Sequence, residues 1–262
     1  MLLELQQRLR ASGLHVTLMS FDDEPSAIER LERQGRARCC LVQINFEIVS
    51  IAFLACVRAH ADALVIDGIS VTGIDADVIG TNWREALSIA YRSLVEKGHR
   101  RIAFLTSSHG ARQVAMARRE FLLLSGCRDA PDHPLLFQVD ALPGSYPRGA
   151  IERALPLPKS ARQRPEDYTA LIVWGLVDGS LLDGPLIERG LKLGVDLSVM
   201  LLGSIDVPSE HLARFDVIGN SHVEKLDLFE RIVRSRIAGD PTPPRTHYLP
   251  IHFVENGSVL SF

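Results

Sequence analysis

The side chains of this chain that could do chemistry are scattered rather than grouped. Nine histidines occur, with no His-Glu-x-x-His and no pair four residues apart, so the helical spacing that aims two imidazoles at one metal is missing. Of four cysteines, Cys39 and Cys40 are adjacent inside the apolar run Cys39–Ile44, and no Cys-x-x-Cys occurs. Thiols in such a run read as small core residues rather than as redox or metal ligands. There is no Gly-rich phosphate loop, no Gly-x-Ser-x-Gly elbow and no Cys/His arrangement that would activate a nucleophile. The expectation is a chain with no catalytic residue, no metal and no cofactor, and therefore not an enzyme. The acidic run Asp22, Asp23 and Glu24 stands just before Pro25, where it complements the positive end of a helix dipole.

The elements that must carry any site alternate helix and strand. Leu2–Ser12 has helical periodicity and stops at Gly13, and Leu14–Met19 reads as a strand. A helix opened by Pro25 and closed near Gly35 leads to the strand Cys39–Ile44, a hydrophobic helix Glu47–Arg58 and a short strand Ala63–Ile66 ending at Asp67. Residues Gly68–Asp77 break the rhythm as a loop. After Thr106 come a helix near Gln113–Ser125, a strand Leu135–Val139, a Pro- and Arg-rich stretch Pro143–Pro165 with at most one short helix, and a strand Ala170–Trp174. A helix over Ser180–Arg189 should be kinked or split at Gly184-Pro185. A strand Leu197–Leu202, a helix Val223–Ile237 and a last strand Tyr248–Val254 follow. Strands separated by helices of this length imply parallel sheets with right-handed crossovers.

A length of 262 residues allows one large domain or two lobes, and a net charge of −3 with dispersed Lys and Arg gives no nucleic-acid-binding face. No leader peptide and no membrane-length apolar run is visible, so the expected location is the cytoplasm, with no membrane partner.

One stretch, Asn82–Thr106, is more specific. Asn82 and Glu85 have the spacing of a capping box, Ala86, Leu87, Ala90, Tyr91, Leu94 and Val95 form one apolar face, and Gly98 sits at a left-handed helix end. His99, Arg100 and Arg101 then feed the apolar run Ile102–Leu105. His99 reads as structural, capping the helix end where the dipole favours it. This unit resembles the signature of the LacI/GalR transcriptional regulators. Arg189–Val199 (RGLKLGVDLSV) and Leu249–Ser258 (LPIHFVENGS) are similar to two further motifs of that family, with Gly194 standing where the family usually has proline.

The resemblance implies a type I periplasmic-binding-protein-like α/β fold: two parallel-sheet lobes joined by three crossing segments near Thr81–Asn82, Asn220–His222 and Arg245–Tyr248. Residues 1–82 plus 221–245 would form the N-terminal lobe and 83–220 plus 246–262 the C-terminal lobe. A small sugar-like effector would bind at the carboxyl ends of the strands. Asp67 matches the family's strand-end carboxylate. The family's effector arginine falls by ungapped counting on Ala117, with Arg118 adjacent and Arg112 earlier on the helix. The effector aspartate falls on Gly203, with Asp206 close by. Trp174 could stack on a sugar face, and Asn220 could supply a polar contact at a crossing. The family's N-terminal helix-turn-helix is not in this sequence, so operator DNA would be bound only through a missing N-terminal domain. The first lobe is expected to lack its first strand, since the chain opens inside the helix that follows it. The helix beginning at Glu47 is apolar on nearly every face, which predicts a homodimer. The alternatives are a solute-binding protein of the same fold and a degenerate dimerising scaffold.

Overall fold

The computed structural model describes residues 1–43, 49–68, 73–126, 135–147, 149–156, 168–207 and 214–261. Ile44 and Glu47, where one expected strand ends and the next helix begins, lie outside the described residues, as do parts of the expected loops 68–77 and 143–165.

The chain divides into two compact units, residues 1–81 with 222–249 and residues 82–221 with 250–262. It therefore passes from one unit to the other three times, at Thr81–Asn82, Ser221–His222 and Leu249–Pro250.

The first unit holds α1 (Leu2–Ala11), α2 (Glu24–Glu32), β1 (Ala37–Gln43), α3 (Ile51–Ala59), β2 (Ala61–Asp67), β3 (Asp77–Gly80), α8 (His222–Ile237) and β9 (Thr246–Tyr248). Its sheet has the order β1-β2-β3-β9, with every described pair parallel. Helix α2 starts where the acidic run ends: Asp23 accepts from the Ser26 amide at 2.7 Å, with Pro25 in the first turn. The strands are covered on both faces, as a parallel sheet requires. Leu64 and Ile66 pack with α2 and α3, while Val65 and Ile79 pack with α1 and α8. Each such side chain contributes roughly 1.5–3 kcal/mol of burial.

Two expectations fail here. Leu14–Met19 forms no strand, and β1 is an edge. The alternating residues Leu14, Val16, Met19 and Phe21 pack on the two cores as a strand's would, but no neighbouring strand gives them a ladder. Strand β3 lies at the end of the expected loop. It is only four residues long, too short for periodicity to reveal.

The second unit holds α4 (Trp83–Glu96), β4 (Ile102–Ser107), α5 (Arg112–Leu124), β5 (Leu136–Val139), α6 (Ala150–Ala154), β6 (Ala170–Trp174), α7 (Ser180–Glu188), β7 (Ser198–Ser204), β8 (Asp216–Asn220) and β10 (His252–Val254). Its sheet runs β10-β8-β7-β6-β4-β5, parallel except for β10 against β8. Asn82 caps α4, its side-chain oxygen accepting from the Glu85 amide at 3.4 Å, while its side-chain amide rather than its backbone N–H donates to the Glu85 carboxylate at 3.1 Å, so only half of the expected capping box forms. Gly98 ends α4 at φ 97°, and the His99 amide reaches back to the Leu94 carbonyl at 3.0 Å.

Of the expected kink or split at Gly184-Pro185, the split does not occur: helix α7 runs through Pro185. Leu182, Pro185 and Leu186 are all buried on the same face, and this packing outweighs the lost backbone bond. The single expected strand Tyr248–Val254 is instead two. Leu249 makes its last rung to Gly80, and Pro250 cannot donate one. The chain then enters the other sheet as β10, so Thr246–Tyr248 ladder with β3 in the first unit rather than with the second.

Candidate functional site

Within each unit the parallel strands bring their carboxyl ends to one edge, and the polar side chains of interest collect there. In the first unit this edge carries Gln43 and Asp67, the last residues of β1 and β2. Asp67 is buried, at 5% exposure. Gln43 Nε2 donates to its Oδ2 at 3.0 Å, and Lys225 from the first turn of α8 donates to the same oxygen at 3.1 Å. The ammonium also lies 2.8 Å from Oδ1, so the lysine faces both oxygens of the buried carboxylate. Sequence reasoning named Asp67 as a candidate but not its partner Lys225, whose place in a helix of mixed polarity gave no signal.

In the second unit the edge carries Ser107, Trp174, Ser204 and Asn220 at the ends of β4, β6, β7 and β8. Asp206 sits just beyond β7 and accepts from Ser204 Oγ at 3.0 Å and from the Ser221 hydroxyl. Asn220 is buried, and its amide donates to the Ser221 carbonyl at 3.3 Å. Ser204, Asp206, Asn220 and Ser221 thus form one hydrogen-bonded cluster, in which the two serines were not anticipated. Arg118 is half-buried on α5, and its Nη1 donates to the carbonyls of Ser107 at 2.6 Å and His109 at 3.1 Å. Burial holds its pKa below the usual arginine value. It therefore braces the loop leaving β4 with one nitrogen, leaving the rest of the fork for other partners. Arg112 is the exposed first residue of α5 and makes no described bond to this cluster.

Trp174 is only 6% exposed and lies in the core, its ring 5.5 Å from that of Trp83 at 40°. A ring so enclosed has little face left for a sugar. The half-buried Trp83, first residue of α4, is the more accessible member of the pair.

Cys39 and Cys40 behave as core residues. Burial pushes the Cys39 thiol up to about 12 and Cys40 to about 11, far from thiolate chemistry. Among the described residues no cluster of His, Cys, Asp and Glu could hold a metal, and no helix is long and apolar enough to cross a membrane.

No protein-family model and no curated protein matches the chain. Solved structures do. A LacI family transcriptional regulator from Enterococcus faecalis with bound ribose aligns over 98% of this chain and 92% of its own, at TM-score 0.74 and 14% identity. One from Enterococcus faecium, also with ribose, covers 100% and 93% at TM-score 0.73 and 15% identity. The transcriptional regulator CelR in complex with cellobiose covers 98% and 77% at TM-score 0.69 and 18% identity. The fold is that of the LacI effector-binding region. Likeness at such low identity establishes architecture, and any function must come from the residues themselves.

Proposed function

We propose that this chain is the effector-binding core of a sugar-responsive transcriptional regulator, acting by binding rather than catalysis. The observation that carries the reading is the buried Asp67 carboxylate at the end of β2, held by Gln43 and Lys225, in a fold shared over nearly its whole length with regulators holding ribose or cellobiose. The candidates for polar contact with sugar hydroxyls are Asp67 in the first unit and, in the second, the Asp206 cluster, Asn220 and Arg118. Arg112 is a weaker candidate and Trp174 would act through Trp83. Bound effector would act by its differential affinity for two conformations. Operator contact is assigned to a module outside these 262 residues, since the net charge of −3 offers no basic face.

Titration calorimetry with pentoses, hexoses and disaccharides is the direct test. A sugar that binds wild-type protein and loses about tenfold or more in affinity with Asp67→Ala supports the reading. Unchanged affinity removes Asp67 from the site, and no heat with any sugar removes the effector class.

The reading includes a cytoplasmic homodimer. Helix α3 buries Phe53, Leu54 and Val57 in its own unit and exposes Ile51, 86% accessible, beside Ala52 and Ala55. This outward face is smaller than its sequence suggested, so a dimer would need neighbouring elements as well. Sedimentation at micromolar concentration decides: a monomer near 29 kDa ends the dimer proposal.

A further inference from the structure

The chain that leaves β5 crosses the carboxyl edge of the second sheet. The strands there lie in the order β6-β4-β5, so a bond between the segment after β5 and the segment after β6 must pass over the end of β4. Two such bonds form. The Gly144 amide donates to the Gly175 carbonyl at 2.7 Å, and the Tyr146 hydroxyl donates to the Trp174 carbonyl at 2.7 Å. On the way, the Ser107 hydroxyl at the end of β4 donates to the Ala141 carbonyl. Residues 140–146 are therefore a strap tied to the ends of both β4 and β6.

The strap has its own stiffness. Leu142-Pro143-Gly144-Ser145 places proline second and glycine third, with Gly144 at φ 86° and the Ser145 amide donating to the Leu142 carbonyl at 3.0 Å, which is a type II turn. Proline's fixed φ lowers the entropy lost in ordering it. Tyr146 is 7% exposed and packs in the core that α6 and α7 form on one face of the sheet. Gly175 is the seat. A Cβ there would meet Tyr146 Oη at 2.8 Å and Pro143 Cα at 2.9 Å, so only glycine admits the strap this closely.

The strap consumes the polar groups of the strand ends it covers. The carbonyls of Trp174 and Gly175 accept from it, and Ser107 is fully buried, its oxygen also accepting from the His109 amide at 2.9 Å. On the far side of β6, Ser204 and Asp206 after β7 stay half-buried, bonded to each other, with Asn220 at the end of β8. Those two strand ends lie ~5 Å apart, about the breadth of one sugar ring.

We propose that the strap is a specificity element: closing the ends of β4 and β6, it leaves this unit to read one sugar ring at the ends of β7 and β8, and it selects single-ring sugars against disaccharides. A second ring laid along the edge over β6 would meet Pro143 and Gly144. This inference rests on the sugar-effector reading above and adds which sugars that site admits.

Titration calorimetry on the 262-residue protein compares ribose, xylose and glucose with xylobiose, cellobiose and maltose. A monosaccharide should bind about tenfold or more tighter than every disaccharide. Tyr146→Phe removes the tie to Trp174 but keeps the ring, and should raise disaccharide affinity while leaving the monosaccharide unchanged. Gly175→Ala, which lifts the strap from its seat, should raise it further; where that variant fails to fold, Tyr146→Phe alone decides. Hydrogen exchange at the Gly144 amide should quicken in Tyr146→Phe with little change in the thermal unfolding midpoint, the sign that the strap and not the fold has loosened. A disaccharide bound as tightly as any monosaccharide overturns the proposal and leaves the effector reading standing. So does a discrimination that Tyr146→Phe leaves unchanged although Gly144 exchanges faster, or an unchanged Gly144 exchange rate. No heat with any of these sugars removes the effector reading and this inference together.

Discussion

The Lys225 ammonium lies 2.8 Å from Oδ1 of Asp67, tying the first turn of α8 to the end of β2. The carboxylate is 4% exposed and the lysine side chain 22%, with the ammonium 5.8 Å from the Phe229 ring. Removing one partner of a buried pair leaves the other charge uncompensated. Lys225→Ala should therefore cost about 2–3 kcal/mol in urea denaturation, discounted from the fully buried case because the lysine still meets water. Asp67→Asn should cost less, because the amide oxygen still accepts from Gln43. Equal losses would show that the ion pair, rather than the Gln43 bond, holds the strand end.

Asp77 opens β3 and is 1% exposed, with Arg236 Nε at 2.6 Å, His247 Nε2 at 2.9 Å and the Arg245 amide at 3.2 Å. Burial pushes its pKa up, but the bonds from Arg236, His247 and Arg245 together outweigh burial and hold it below 3.8. A carboxyl whose folded pKa is depressed stabilises the fold above its unfolded value and loses that contribution as pH falls. Stability should drop as pH falls below about 4, and the drop should be shallower in Asp77→Asn. Thermal unfolding at pH 3 to 6 reads the difference. Parallel curves for the two proteins would place the acid sensitivity elsewhere.

What the sequence makes legible here is scaffold. Asn82, Gly98 and His99 announce α4 because caps are local and their chemistry is set by the backbone. The motif Leu249–Ser258 is legible for a similar reason. Asn256 and Ser258 bind Asp216 and its neighbours, with the Asp216 amide donating to Ser258 Oγ at 2.6 Å and the Asn256 amide donating to Asp216 Oδ1 at 2.7 Å. These residues fix the edge of a sheet rather than a ligand. The site side chains depend on tertiary meetings that leave no periodic trace. Lys225 and Asp67 are far apart in sequence, and Ser221 meets Asp206 only because β7 and β8 end together. Leu14–Met19 has a strand's pattern but no ladder, because hydrogen bonds need a neighbour that pattern cannot supply. Pro185 errs the opposite way, its local penalty being overridden by burial.

His99 is 1% exposed and bridges two segments, with Nδ1 2.8 Å from Thr169 Oγ1 and Nε2 3.1 Å from the Leu260 carbonyl. A carbonyl only accepts, so Nε2 carries the proton and Nδ1 receives the threonine hydroxyl. Burial lowers its pKa from 6.5, against the raising effect of the Leu260 bond. The ring is thus a neutral tie between segments, where the helix-end position had suggested a dipole-favoured cation. Its stabilising contribution is complete above pH 6.5 and falls away as pH drops through the lower folded value. His99→Gln should lose about 1–2 kcal/mol at pH 7.5, from two hydrogen bonds imperfectly replaced. Its stability should then fall less between pH 7 and pH 5 than that of the wild type. An identical pH slope in the variant would mean the imidazole does not titrate in that window.

Gly194 stands where the resembled family usually has proline, and the structure gives the reason. Its φ is +71°, a left-handed conformation that proline's ring forbids and that costs other L-residues about 1–2 kcal/mol. A Cβ built there would meet the Gly257 carbonyl oxygen at 2.5 Å, so the turn before β7 and the C-terminal segment approach backbone to backbone. The turn is otherwise well tied: the Gly194 amide donates to the Leu197 carbonyl at 2.9 Å, and Asp196 accepts from the Lys192 amide at 2.8 Å. Gly194→Ala should therefore lower stability by about 2 kcal/mol or more, as strain and overlap combine, and Gly194→Pro should be worse. Gly184 is the control. It lies inside α7 with open space around its missing side chain and no left-handed φ. Gly184→Ala should be neutral or gain up to about 1 kcal/mol from helix propensity. Urea midpoints of the two alanine variants should thus move in opposite directions, or at least separate clearly. Coincident midpoints would mean that the C-terminal segment yields freely and that glycine at 194 is not required by the fold.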